Sequence, residues 1–369
     1  MLQDIASRRQ SEANRERREA TATRSVAPWP DHRRARGLDR GRAAVYHPAN
    51  GQVLSSSGSR WTVVGAVDEA LLQRLDAVPL LATPDRVVSE LTGGLTNRNL
   101  RVDLPGTSAV ARLSDPTGAL LAIDRTAEDH NSRAAASTGI APDVLDFRPD
   151  DGVLVVRFVP GRTLTEADVR DPAMLPRIAA AVRTLHSAPP FLGTFDMAVR
   201  QREYLSTCVR LGLPLPAGYT DHLDTCAEVV RVLALDPPPA VPCHNDLLAA
   251  NFIDDGGRLW IIDYEYAGTG DPSFEIGNIA GESLLDDDAA DALAIAYFGT
   301  ADPRMPARCR LQTLLARYGW TLWGVIRQHA MTPAVDLTEW TMDKYERAVR
   351  TFTATALPSL LRAAAGAGP

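Results

Sequence analysis

Short alternating runs of apolar and polar residues fill the chain from about residue 61 to 162. RVVSELTGG and NRNLRVDL read as two strands around a Gly-Gly turn, and SAVARLSD as a third. DRTAEDHNSRAAAST predicts a helix over about 124–138, with Asp124 placed to cap its start and Gly139 just past its end. GVLVVRFVPG predicts a further strand, closed by Pro160-Gly161. After 162 the apolar spacing changes to the helical period, in DPAMLPRIAAAVRTLHSA, YTDHLDTCAEVVRVLAL and DDAADALAIAYFG, and it stays helical from about 283 onward. One polar stretch breaks the helical region: PCHNDLLAANFIDDGGRLWIIDYEY, residues 242–266, reads as two short strands joined by Asp255-Gly256-Gly257. The pattern predicts an α+β chain with two lobes, a small β-rich one over 61–162 and a larger helical one over 163–369. Residues 1–60 lack periodicity and end in NGQVLSSSGS, so they are expected to be a disordered, Arg-rich tail and linker. A ligand site is expected between the lobes.

Composition narrows the class. Apolar residues make up 45% and charged residues 23%, ordinary for a globular protein. No run of about 18 apolar residues marks a membrane span, and the N-terminus shows no apolar stretch followed by a small-residue cleavage site. The expected location is cytoplasmic. Cys208, Cys226, Cys243 and Cys309 form no CxxC pair and have no metal-ligand spacing, which predicts free thiols. Residues 1–46 hold 11 Arg and six acids, a surplus of five positive charges, so the rest of the chain carries −12 of the total of −7. An acidic body disfavours nucleic acid as partner and suits a small cation. Lys344 is the only lysine in the chain.

The polar stretch carries the chemistry. Aspartates in a loop and after an apolar strand, with an Asn between them, suit a magnesium phosphoryl-transfer site, because Mg2+ prefers hard oxygen ligands. A hydroxyl acceptor also needs a carboxylate to take its proton. On that assignment Asp246 is the base, Asn251 and Asp263 hold the metal, and His244 braces the loop.

These residues resemble a known family. His244-Asn245-Asp246, then Asn251, then Asp263 after an apolar strand is similar to the catalytic and metal-binding loops of the bilobal protein-kinase-like fold. HNDLLAANF together with IDYEYAGTGDPSFEIGN resembles the choline/ethanolamine kinase and aminoglycoside phosphotransferase family, over about residues 85–350. The resemblance implies ATP and Mg2+ as cofactors. It implies a phosphate loop at Gly93, Gly94, Thr96 and Asn97, although LTGGLTNRNL is not GxGxxG and Gly-Gly between strands is by itself an ordinary turn. It also implies a strand cation, Arg112, paired with Glu128 of the next helix. Arg suits this place because its planar fork grips phosphate by two bonds and stays charged. Asp271, by the same resemblance, would brace the catalytic loop.

For the acceptor, Trp320 and Trp323 lie three apart and share a helix face, and Trp340 follows in DLTEWTMDKYERA. The family resemblance makes these a cage for a quaternary ammonium, which aromatic faces bind at about 0.5–2 kcal/mol per contact. It places Glu282 beside that ammonium. A Trp pair at helical spacing is otherwise most simply core. The expected function is Mg-ATP-dependent phosphorylation of a small cationic alcohol, choline first. The alternatives are ethanolamine or thiamine kinase, an aminoglycoside or macrolide phosphotransferase, and a catalytically silent kinase-like binding protein.

Overall fold

The computed structural model describes residues 51–56, 59–64, 69–91, 97–114, 116–331 and 336–366. Its N-terminal lobe is built on β1 (Gly51–Ser56), β2 (Ser59–Val64), α1 (Glu69–Asp76), β3 (Val87–Leu91), β4 (Asn97–Leu104), β5 (Thr107–Ser114), α2 (Arg125–Ser137), β6 (Val144–Arg148) and β7 (Val153–Arg157). The seven strands form one sheet in the order β1-β2-β3-β4-β5-β7-β6, antiparallel except where β3 runs parallel to β2. The sheet therefore begins at Gly51, inside the stretch expected to be linker. A Ser-rich hairpin pairs through its backbone, Gly51 with Val64 down to Ser56 with Ser59, without any apolar alternation to announce it.

Period-2 alternation sets what each face of this sheet does. Leu100 and Val102 of β4, Ala109, Ala111 and Leu113 of β5, and Val153 and Val155 of β7 pack under Leu71, Leu72 and Leu75 of α1. The intervening residues Asn99, Val110, Arg112, Leu154 and Val156 turn to the other side and roof the cleft between the lobes. Arg112 thus faces the cleft because Ala111 and Leu113 face the core. The helix over 124–138 forms as expected: the Asp124 carboxylate accepts from the N–H groups of Thr126 and Ala127, and Gly139 takes a left-handed φ of +79°.

Phe158 to Gly161 link the lobes. A Cβ on Gly161 would lie 2.6 Å from Ile253 Cγ2, so only glycine lets the linker rest this closely on the strand below it. The C-terminal lobe follows as β8 (Arg162–Thr163), α3 (Glu166–Val169), α4 (Leu175–His186), α5 (Met197–Leu211), α6 (Leu223–Leu233), β9 (Val241–Cys243), β10 (Phe252–Asp254), β11 (Leu259–Ile261), β12 (Gly268–Gly270), α7 (Pro272–Glu282), α8 (Asp287–Phe298), α9 (Arg304–Ala330), α10 (Thr338–Phe352) and α11 (Leu357–Ala364). The short sheets β11-β10-β8 and β12-β9 sit at the top of this helical lobe and carry the polar stretch. This is the two-lobed α+β, kinase-like architecture. All four cysteines are buried free thiols. Among the described residues no helix is long and apolar enough to cross a membrane.

The 27-residue α9 is the axis of the lobe, buried along most of its length. It meets α7 at Gly277, where the Thr313 hydroxyl donates to the Gly277 carbonyl at 2.7 Å. A Cβ at Gly277 would overlap the Cys309 carbonyl and stand 2.9 Å from the Thr313 nitrogen. Backbone cannot rotate aside as a side chain can, so Gly277→Ala is expected to destabilise by about 1–3 kcal/mol, the range for overpacked cores. Urea unfolding followed by circular dichroism measures it; an unshifted midpoint would mean that α7 and α9 do not pack this closely.

Candidate active site

The catalytic loop hangs between β9 and β10. Its backbone is held by Glu275 of α7, a fully buried carboxylate that accepts from the N–H of His244 at 2.5 Å and of Asn245 at 3.0 Å. Asp271, expected to brace this loop, instead caps α7 through the Ser273 N–H and pairs with Arg308 at 3.2 Å. The brace is displaced by one helical turn because Asp271 sits at the helix start, where the open N–H groups of the first turn claim it.

His244 is fully buried, and burial lowers its pKa, so the ring is neutral. Its tautomer follows from its neighbours. Nδ1 accepts the Asp246 N–H at 3.2 Å, which leaves Nε2–H to donate to the Ile262 carbonyl at 2.8 Å. His244 therefore ties the loop to Ile262, the residue just past β11. Asn245 adopts φ +68°, a conformation Asn tolerates better than most residues, and its side-chain NH2 holds the Cys243 and Tyr266 carbonyls. Asn251 donates its NH2 to the Asp246 carbonyl at 2.7 Å, so its own amide oxygen is left for a cation.

Asp263 follows β11 with φ +77°, a strained position costing about 1–3 kcal/mol that aims its carboxylate at the cleft. There it meets Arg112, whose guanidinium spans the lobes: 2.8 Å to Glu128, 2.6 Å to Asp263 and 2.7 Å to Glu265. Glu128 is fully buried, so this is no exposed ion pair. Burial alone discourages the Arg112 charge, but Asp263, Glu128 and Glu265 outweigh it and hold the guanidinium more firmly charged than usual. The Arg112–Asp263 contact is one of charge without hydrogen-bond alignment, and Asp263 Oδ1 has no hydrogen-bond partner.

Of the phosphate-loop residues expected from the sequence, Gly93, Gly94 and Thr96 lie outside the described residues. Asn97 is described and is engaged elsewhere: its NH2 donates to Glu265 at 2.9 Å and its oxygen accepts from Arg125 at 3.1 Å. It fastens the start of β4 to the other lobe instead of standing open as a phosphate donor. Arg125 completes the network, 2.7 Å from Glu128 and 3.2 Å from Glu265. Glu265, Arg125 and Glu275 were not identified from sequence. For Glu265 the sequence offered only nearness, two residues after Asp263, and the turn after β11 brings both carboxylates to Arg112.

Asp246 lies half-buried beyond this network. Burial first, then Asp263, Glu282 and Glu265, push its carboxyl well above the usual range, and burial and Glu265 push Asp263 up as well. A knot of carboxylates that resist ionising together, with Asp263 and Asn251 lining the same cleft, fits a divalent cation that would share Asp263 with Arg112. The adjoining cleft encloses about 420 Å³; Asn251, Asp263 and Arg112 line its polar end, and Leu154, Val156 and Val159 its apolar wall.

The four residues expected around the acceptor separate into two groups. Trp320 and Trp323 are core side chains, 4% and 6% exposed, with their indole N–H groups donated to Asn278 at 2.9 Å and to the Tyr266 hydroxyl at 2.8 Å. Trp340 is half-buried and stands edge-on to Trp323 at 5.4 Å. Glu282, at the end of α7, is paired with Lys344 of α10, whose ammonium lies 2.5 and 2.7 Å from its two oxygens and 4.4 Å from the Trp340 ring. Trp340 and Glu282 are thus brought together, with Lys344 between them, while Trp320 is turned into the core.

The sequence profile of the phosphotransferase enzyme family matches residues 87–312. Protein LicA of Haemophilus influenzae is 26% identical over 254 residues, which span 64% of this chain and 72% of LicA. Ethanolamine kinase 2 of Mus musculus is 27% identical over 257 residues, 62% of this chain and 66% of that one. A solved choline/ethanolamine kinase family protein from Mesorhizobium loti superposes with a TM-score of 0.69 at 29% identity, covering 81% of this chain and 99% of its own.

Proposed function

The chain belongs to the phosphotransferase enzyme family, with choline/ethanolamine kinases among its relatives, and from that premise we propose that it transfers the terminal phosphoryl group of Mg-ATP to the hydroxyl of a small cationic alcohol, choline first. The observation that carries this is the convergence of Arg112, Asn251 and Asp263 on one cleft wall, with Asp246 tied to it through the Asn251 amide. Asn251 and Asp263 would hold magnesium, which supplies positive charge to the phosphates as charge shifts between attacking and leaving oxygens. Arg112 brings a permanent cation to the same place and stays put because Glu128 anchors it. The nucleotide base rests against the apolar wall. Asp246 orients the acceptor hydroxyl and takes its proton. Positioning and electrostatics carry the rate, with no covalent intermediate on the protein.

Ethanolamine is the second reading. The subsite at Glu282 already holds a primary ammonium at hydrogen-bond distance, a contact three methyl groups would prevent. A panel of choline, ethanolamine, thiamine and kanamycin, read as ADP release with Mg2+ and again with EDTA, tests both. Magnesium-dependent turnover of choline or ethanolamine is expected, with thiamine and kanamycin inert. Turnover of kanamycin alone, or of none of the four, would overturn the assignment.

A further inference from the structure

Lys344 is the only lysine among 369 residues, and the structure seats it against Glu282, at the end of α7. Its side chain is 8% exposed and that of Glu282 9%, so the pair is shielded from water. Both Glu282 oxygens are engaged, and the same ammonium rests over the Trp340 ring. A carboxylate and an aromatic face are what an alkylammonium guest requires, and here they are already filled from within the chain. Glu282 and Lys344 also act on the Asp246 carboxyl, in opposite directions, so the pair belongs to the electrostatics of the reacting end.

Resting on the acceptor reading above, we infer that Lys344 is a tethered competitor: its ammonium occupies the Glu282–Trp340 subsite in the free enzyme and must leave before a cationic acceptor can enter. The long alkyl stem allows this, since rotation about its own bonds carries the ammonium out without moving α10. Two consequences follow. The empty enzyme keeps Glu282 neutralised, so a buried carboxylate is never left bare beside Asp246. Selection is set by difference: an acceptor binds only as far as its own cation outbids the lysine, which discriminates against neutral alcohols that leave the ion pair intact and against weakly held cations.

The single lysine makes the test direct. The full-length protein is exposed to an amine-acylating reagent, and modification of Lys344 is followed by mass spectrometry of its peptide, with and without tetramethylammonium as probe. Displacement predicts acylation at least fivefold faster with the probe; an unchanged or slower rate overturns the inference. In parallel, Lys344→Met is expected to bind tetramethylammonium at least tenfold more tightly than wild type by calorimetry, and Lys344→Arg, which keeps the cation, is not. Equal binding by wild type and Lys344→Met also overturns it, and should that variant fail to fold, the acylation experiment decides alone. Acceptor identity is judged separately by ADP release. Faster acylation without turnover of any amino alcohol retires the acceptor assignment and keeps the competitor; turnover with unchanged acylation does the reverse.

Discussion

Asp246→Asn is expected to lower kcat by about 10²–10⁴-fold, the usual contribution of a positioned general base, while the protein stays folded. The amide keeps the size and the backbone bonds of the loop, since Asn251 and His244 bind Asp246 through its main chain. What disappears is the proton acceptance proposed for Asp246. The same change should raise the unfolding midpoint of the metal-free protein. Burial and the neighbouring Asp263, Glu282 and Glu265 push the Asp246 carboxyl up. The folded state therefore holds a proton that the unfolded chain has released once the pH exceeds the ordinary aspartate range. Stability is fully present below that range and declines as pH rises through the folded value. The amide escapes this penalty, so in EDTA the variant should melt above wild type at pH 8 and level with it near pH 4. Wild-type turnover by the variant would remove Asp246 from its role. A variant less stable at pH 8 would show that the carboxylates do not repel as the structure places them.

Arg112→Met should be the most damaging single change to stability. Glu128, Asp263 and Glu265 share this guanidinium, and removing one partner of a buried ion pair costs about 3–5 kcal/mol because the other charge is left uncompensated. Arg125 remains to serve Glu128 and Glu265, which keeps the loss toward the lower end, but Asp263 is left without its 2.6 Å contact. Arg112→Lys should recover only part of the stability: NH1 reaches Glu128 on one lobe while NH2 reaches Asp263 and Glu265 on the other, and one ammonium cannot present two separated donors. Urea midpoints give the order wild type, Lys, Met. An Arg112→Met protein as stable as wild type would mean that the cation does not hold the lobes together.

Local order was legible wherever a residue's neighbours in sequence decide its state. The helix over 124–138, the strands β3, β4, β5 and β7 and the hairpin around Asp255-Gly256-Gly257 follow from periodicity, capping and turn chemistry, and all of them form. The hairpin β1–β2 and the edge strand β6 were missed for a shared reason: strands at or next to a sheet edge need little apolar alternation, and β6 is half-buried throughout. The candidate site divides in the same way. His244, Asp246, Asn251 and Asp263 lie within one stretch, so their spacing is visible in the chain. Glu275 in place of Asp271, Asn97 tied to Glu265, and Lys344 seated on Glu282 are not.

By itself the sequence determined the two lobes, the strand that carries Arg112, and a stretch in which His244, Asp246, Asn251 and Asp263 fall close together. Those properties rest on repeats of two and 3.6 residues and on residue chemistry, which act between near neighbours. Only the tertiary structure decided which charges meet. Asn97 reaches Glu265 across 168 residues and Lys344 reaches Glu282 across 62, and no periodicity records a partner that far away. Such pairs form because carboxylates withdrawn from water need a cation or a donor within a few ångströms, and the packing of α7, α9 and α10 determines which one is there.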